Sequence, residues 1–220
     1  QCVTTYIWRV KKAFLQLHIA VFLAGFTAIL GKLILLNEVL LVFYRVLIAV
    51  PVLALLIAFR SGFKNLSSGY PFQAVAVGCI IAIHWVAFYA SVKYANVSVA
   101  LVCFAATGFF TALFEPMVLK KRLEATELLL GLLSIAGIYI IFDFYPQFQT
   151  GIIFGVIAAV GSALFPIFNK QLLHHLSPSH LTFFSLSGCV LFLPFLIPLY
   201  LHFFPAEYIY PTQADWLWLT

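Results

Sequence analysis

Val97-Ser-Val-Ala-Leu-Val-Cys-Phe-Ala-Ala-Thr-Gly-Phe-Phe-Thr-Ala-Leu-Phe-Glu115-Pro-Met-Val-Leu119 runs straight into Lys120-Lys121-Arg122. Glu115 is the single charge in the run, and three bases close it. Crossing a hydrocarbon core of about 30 Å takes roughly 20 helical residues, so the run is long enough to span a bilayer. Inside lipid every backbone polar group must be paired internally, which leaves helices or a closed barrel. Barrel strands read as segments of about 10 residues alternating apolar and polar. This run is continuous and about twice that long, so it reads as a helix. The bases at its end mark where the chain returns to water.

The same pattern repeats outward in both directions. Apolar segments fall at 13–36, 39–59, 71–92, 97–119, 127–142, 151–172 and 181–201, joined by short polar links. Over the whole chain 64% of residues are hydrophobic and 9% charged, against roughly 45–50% and about 25% in soluble domains. The apolar excess faces lipid. The fold class is therefore an all-α integral membrane protein, a polytopic helical bundle with seven complete spans. Trp216-Leu-Trp-Leu opens an eighth apolar segment, and the only methionine is Met117, so the chain is expected to be part of a longer protein. The first segment is no secretory signal: it is too long, contains Lys32 and lacks a small-residue cleavage site.

Orientation follows from where Lys and Arg lie. Arg9, Lys11, Lys12, Arg60, Lys64, Lys120, Lys121, Arg122 and Lys170 all fall on one side of the membrane. Lys32, Arg45 and Lys93 fall near or within the other half. This predicts a cytoplasmic N-terminus in a plasma membrane of the bacterial inner-membrane type. It also disfavours a seven-helix receptor, whose N-terminus faces outward. The net charge of +5 is thus a topological signal and implies no nucleic-acid partner.

Five spans precede the Pro-containing break at 143–150. An odd number of spans leaves the two ends of the unit on opposite sides, so a second unit starting at Gly151 is inverted. Inverted repeats are a common device of secondary transporters, with the solute near the midplane between them.

The residues also suggest a family. Ala24-Gly25-Phe26 through Gly31-Lys32, Arg45, His84-Trp85-Val-Ala-Phe88-Tyr89, Lys93-Tyr94-Ala-Asn96-Val-Ser98 and Gly131-Leu-Leu-Ser-Ile-Ala-Gly137-Ile-Tyr occur in that order and spacing. Together they resemble the EamA-like permeases of the drug/metabolite transporter superfamily. The resemblance implies ten spans in two inverted five-helix units: residues 13–143 as the first and 151–220 as an incomplete second. It further implies a permease moving a small organic metabolite by alternating access. The sequence departs from the family pattern at Arg122, where a glutamate is usual, and at Gly108, where a proline is usual.

Charges within spans cost roughly 2.5–3.5 kcal/mol on insertion scales, so each is a functional candidate. Lys32 lies near a span end, where its stem can reach the interface. Arg45 is deeper, about 10 Å in from Glu38 at 1.5 Å per residue, and serves either as a clamp on helix-end carbonyls or as a contact for an anionic solute. His84, near the middle of the third span, shares a helical face with Phe88 and Ser91, with Trp85 and Tyr89 alongside. A histidine there suits solute hydrogen bonding or proton coupling, or simply bonds a neighbouring helix. Glu115 reads as a partner of the adjacent bases or as a proton carrier. The candidate substrate-binding residues are Lys32, Arg45, His84, Trp85, Tyr89 and Glu115.

Pro166 and Asn169 mark a candidate kink, and Gly151 and Gly155 a close helix approach. Cys2, Cys79, Cys103 and Cys189 have no paired spacing and read as free thiols. No nucleotide-binding loop, metal-ligand cluster or catalytic Ser-His-Asp set is found, so no cofactor and no metal are expected, and an intramembrane enzyme is the less favoured alternative. The expected partners are the lipid bilayer and a small-molecule substrate, with proton or ion coupling and a homodimer left open.

Overall fold

The computed structural model describes residues 2–60, 62 and 69–219. Lys64 and the side chains of Cys2, Arg9 and Lys12 lie outside the described residues. The described chain is helical: α1 (Cys2–Leu33), α2 (Glu38–Arg60), α3 (Gly69–Tyr94), α4 (Val97–Ala105), α5 (Thr107–Leu119), α6 (Ala125–Phe144), α7 (Gln149–Leu172), α8 (Pro178–Phe203) and α9 (Gln213–Leu219), with one 3-10 turn at Pro146–Phe148. No strand occurs among the described residues.

Among the described residues six segments are long and apolar enough to cross a membrane: Glu38–Arg60, Gly69–Tyr94, Val97–Leu119, Ala125–Phe144, Pro146–Leu172 and Pro178–Phe203. The further span expected at 13–36 coincides with the latter part of α1, which ends at Leu33. The run at 97–119 is not one straight helix. It breaks at Ala106 into α4 and α5, one residue before Thr107-Gly108, and a sequence without proline there gave no sign of it. Pro166 lies inside α7, which continues through it to Leu172.

Local chemistry sets the ends. Asn96 turns the chain between α3 and α4, its Oδ1 accepting the Val99 N–H at 2.9 Å as an N-cap. Ser177 caps α8, whose first residue is Pro178, a position where the missing N–H costs nothing. The α5 helix stops at Lys120, the one non-glycine residue with positive φ (52°) among the described residues, which closes the last turn in the left-handed conformation.

Contacts between ends establish the antiparallel order. At one end the Gly62 carbonyl meets His180, Tyr70 stacks on His175, and Glu115 joins Lys170. At the other, Leu36 meets Lys93 and Asn37 meets Phe204. The first end collects Arg60, Lys120, Lys121 and Lys170 and is called the basic end below. Among the described residues, these four bases share one end of the bundle.

The core lies around α3, which packs against α7 and α8 most extensively and also touches α1, α2 and α4. Water-driven burial gives little help between helices in lipid, so close packing of small residues supplies the attraction. Gly78 on α3 and Gly188 on α8 bring backbone onto backbone: a Cβ on Gly188 would run into the Val75 carbonyl, and one on Gly78 would lie 2.7 Å from the Cys189 nitrogen. On α7, Gly151 and Gly155 pack against Ala95 and Cys103, so that pair is a packing feature as expected. By contrast α6 buries only Gly131 and Ile138 and turns Leu129, Leu130, Leu133 and Tyr139 outward. In a bilayer those side chains meet lipid.

Candidate functional site

Arg45 and Tyr89 form one pair. Arg45 Nη1 donates to the Tyr89 hydroxyl, and Nη2 donates to the Trp218 carbonyl at 3.4 Å. The guanidinium also lies 5.7 Å from the Tyr89 ring centre. Gly31 makes room for this: a Cβ there would run into the Tyr89 ring. Arg45 thus holds one helix carbonyl and a hydroxyl. The Trp218 contact joins α2 to α9.

His84 points a different way. Its Nδ1 lies 2.7 Å from the Ala158 carbonyl on α7. A carbonyl only accepts, so Nδ1 carries the proton, and Nε2 of the neutral ring is left with a lone pair. Nε2 makes no hydrogen bond among the described residues. Phe104 of α4 and Phe165 of α7 flank the ring with centroids 5.7 Å away, and Phe88 packs edge-on to Phe104. Gly161 allows the approach, because a Cβ there would sit 2.7 Å from the His84 Cβ. The hydroxyls of Ser91, two turns further along α3, and of Thr107, at the start of α5, are buried without a partner among the described residues.

The six residues singled out by sequence do not converge on one point. Five residues along a helix turn the side chain by about 140° at 3.6 residues per turn, so Tyr89 faces α1 and α2 while His84 faces α4 and α7. Trp85 lies between, packed on apolar residues from both sides. Glu115 is at the basic end, where Oε1 accepts from Lys121 at 2.7 Å and from Lys170 at 2.9 Å. Those lysines are more than half exposed, so solvent screens both bridges and they add little to stability. Lys32 is at the far end, its ammonium within 3.3 Å of the Val92 carbonyl and 3.4 Å of that of Lys93.

Sequence reading passed over Glu38 and Asp215 as sites. They are 2% and 1% exposed, against the trend for carboxylates. Glu38 accepts from the Tyr200 hydroxyl, and Lys93 lies within electrostatic reach of both acids while donating to the Leu36 carbonyl. The spacing Thr212-x-x-Asp215 was the available signal, a capping box ahead of an apolar run. Among the described residues no group of three or more His, Cys, Asp or Glu side chains could hold a metal ion.

Long apolar helices antiparallel to one another, with charged and imidazole groups turned into the bundle, define a polytopic helical membrane protein. A family model, the EamA-like transporter family, matches residues 11–143, more than half of the chain. The chain belongs to that family of membrane transporters. No curated protein and no solved structure matches it.

Proposed function

We propose that this chain is the larger part of a ten-helix inverted-repeat permease that moves a small organic metabolite by alternating access. The first unit comprises 13–143, with α1 as a seventh span of this chain, and 151–220 begins the inverted second unit. The basic end faces the cytoplasm of a cell with a bacterial-type inner membrane. The solute path runs beside α3, with His84, Trp85, Tyr89 and Arg45 as contacts. Membership of a transporter family supports the transport class. The observation that carries the site is His84, which holds its Nε2 lone pair inside an aromatic cluster at mid-span. Such an acceptor selects solutes with a flat apolar body and an N–H or O–H donor. Arg45 adds preference for an anionic group, and proton or ion coupling supplies any uphill drive. Lys32 and Glu115 serve the ends of the path.

Flux tests this reading. The full chain reconstituted in vesicles is expected to exchange members of a mixed pool of amino acids, nucleobases and aromatic acids. His84→Phe keeps the aromatic stack and removes the acceptor, so it is expected to lower that flux about tenfold or more, the equivalent of one lost hydrogen bond of roughly 1.5 kcal/mol. The exposed Lys11→Gln control should not change it. Equal flux in both variants would remove His84 from the site, and no flux of any member in the parent would count against the permease. Topology is checked separately: reporter fusions at Lys64 and Gln147 are expected on opposite sides of the membrane, and a shared side would break the inverted repeat.

A further inference from the structure

Two links at the end opposite the basic loops hold each other by their helix caps. The first is 34–37, between α1 and α2; the second is 204–212, between α8 and α9. Asn37 caps α2, its Oδ1 accepting the Val39 N–H at 3.1 Å, and its Nδ2 donates across to the Phe204 carbonyl at 3.2 Å. Asp215 closes the capping box of α9: its Oδ2 accepts from the Thr212 N–H and hydroxyl, both at 2.9 Å, and its own N–H donates to Thr212 Oγ1 at 3.2 Å. Its second oxygen, Oδ1, accepts the Leu35 N–H across the seam at 2.8 Å. Each link therefore lends the free half of its cap to the backbone of the other. The Tyr200 hydroxyl on Glu38 adds a third bond between the same two parts.

We propose that this reciprocal clasp is the outer gate of the solute path, closed in this structure, and that it regulates access to the site assigned above. The proposal rests on the permease reading for what lies behind the gate. Three features favour a gate over a fixed seam. First, opening breaks contacts across the seam, the Arg45–Trp218 bond among them, while the Asn37–Val39 and Thr212–Asp215 bonds stay with their own helices. The links can part without unravelling α2 or α9. Second, among the described residues only four hydrogen bonds cross the seam, the Arg45–Trp218 contact included, few enough for a bound solute to shift the closed–open balance. Third, leverage is available. The tight backbone crossing of Gly78 and Gly188 lies in the basic half of α3 and α8. It is about 22 Å from the end of α8 at Phe203, taking 15 residues at 1.5 Å each. A small rotation about that crossing parts the clasp.

The test is accessibility from outside. Val42 is fully buried about one turn of α2 beneath the clasp, and Val42→Cys is close to isosteric. In full-length protein whose cysteines at 2, 79, 103 and 189 are replaced, this thiol is labelled in intact cells with a membrane-impermeant maleimide. Asp215→Ala, which frees Leu35, and Asn37→Ser, which keeps a cap but cannot reach Phe204, are each expected to raise the labelling rate about tenfold by shifting the closed–open balance. Thr212→Ala weakens the same box but leaves the Asp215–Leu35 bond, so it is expected to change the rate less than about twofold. Unchanged labelling in both Asp215→Ala and Asn37→Ser would overturn the gate. An equal rise in Thr212→Ala would also do so, because it would indicate fraying of α9. Should Asp215→Ala fail to fold, Asn37→Ser decides alone. Failure of the permease reading is visible elsewhere, as absence of flux in vesicles with the clasp response intact.

Discussion

Arg45→Ala is expected to cut solute flux at least about thirtyfold while leaving the amount of inserted protein unchanged or higher. Two effects oppose each other, and their sizes decide the outcome. Removing a mid-span charge relieves an insertion cost of roughly 2.5–3.5 kcal/mol, so the variant should reach the membrane as well as the parent. Removing one partner of a hydrogen-bonded charged pair costs roughly 2–5 kcal/mol where the pair acts, and 1.4 kcal/mol is a factor of ten. Arg45 is only partly buried, which places the loss toward the lower end of that range. Arg45→Lys should fall between the two: its single ammonium cannot reproduce the fork that reaches the Tyr89 hydroxyl and the Trp218 carbonyl together. Vesicle flux, normalised to inserted protein, is the measurement. Full flux in Arg45→Ala would reduce the residue to a structural strut.

Gly188→Ala carries the largest expected loss of stability. A single added methyl meets the carbonyl and Cα of Val75, and those are backbone atoms of a helix that cannot swing aside as a side chain would. Overpacking a fitted core costs roughly 1–3 kcal/mol, and this clash belongs at the upper end or beyond. Gly137→Ala is the matched control. A Cβ there meets nothing within 4 Å, and alanine is the better helix former by about 0.5–1 kcal/mol. Thermal unfolding in detergent should show Gly188→Ala melting well below the parent and Gly137→Ala at or above it. Equal melting of the two would contradict the backbone crossing.

The two variants address different layers of the molecule, and they differ in how visible they were beforehand. Arg45 stands out in one dimension because a charge inside an apolar run is costly wherever it sits. Gly188 does not stand out, for the reason that glycine in a membrane helix is common. Only its position opposite Gly78 makes it consequential. The break at Ala106 is similar: nothing in Ala105-Ala106-Thr107 forbids helix, and it becomes visible only in the fold.

What the sequence determined by itself is the class of molecule and the stretches long and apolar enough to cross a membrane. Hydrophobic runs of bilayer length and bases at alternate links follow from solvation energies of single segments, which need no partner helix. The tertiary structure decided which polar residues meet. It separated His84 from Tyr89 by the turn of a helix and gave Glu115 to two surface lysines. It buried Asp215 against Leu35, residues 180 apart in the chain. Such pairings depend on how helices rotate against one another. In lipid that rotation is set by close packing and hydrogen bonds between helices, not by an apolar stripe that a sequence displays.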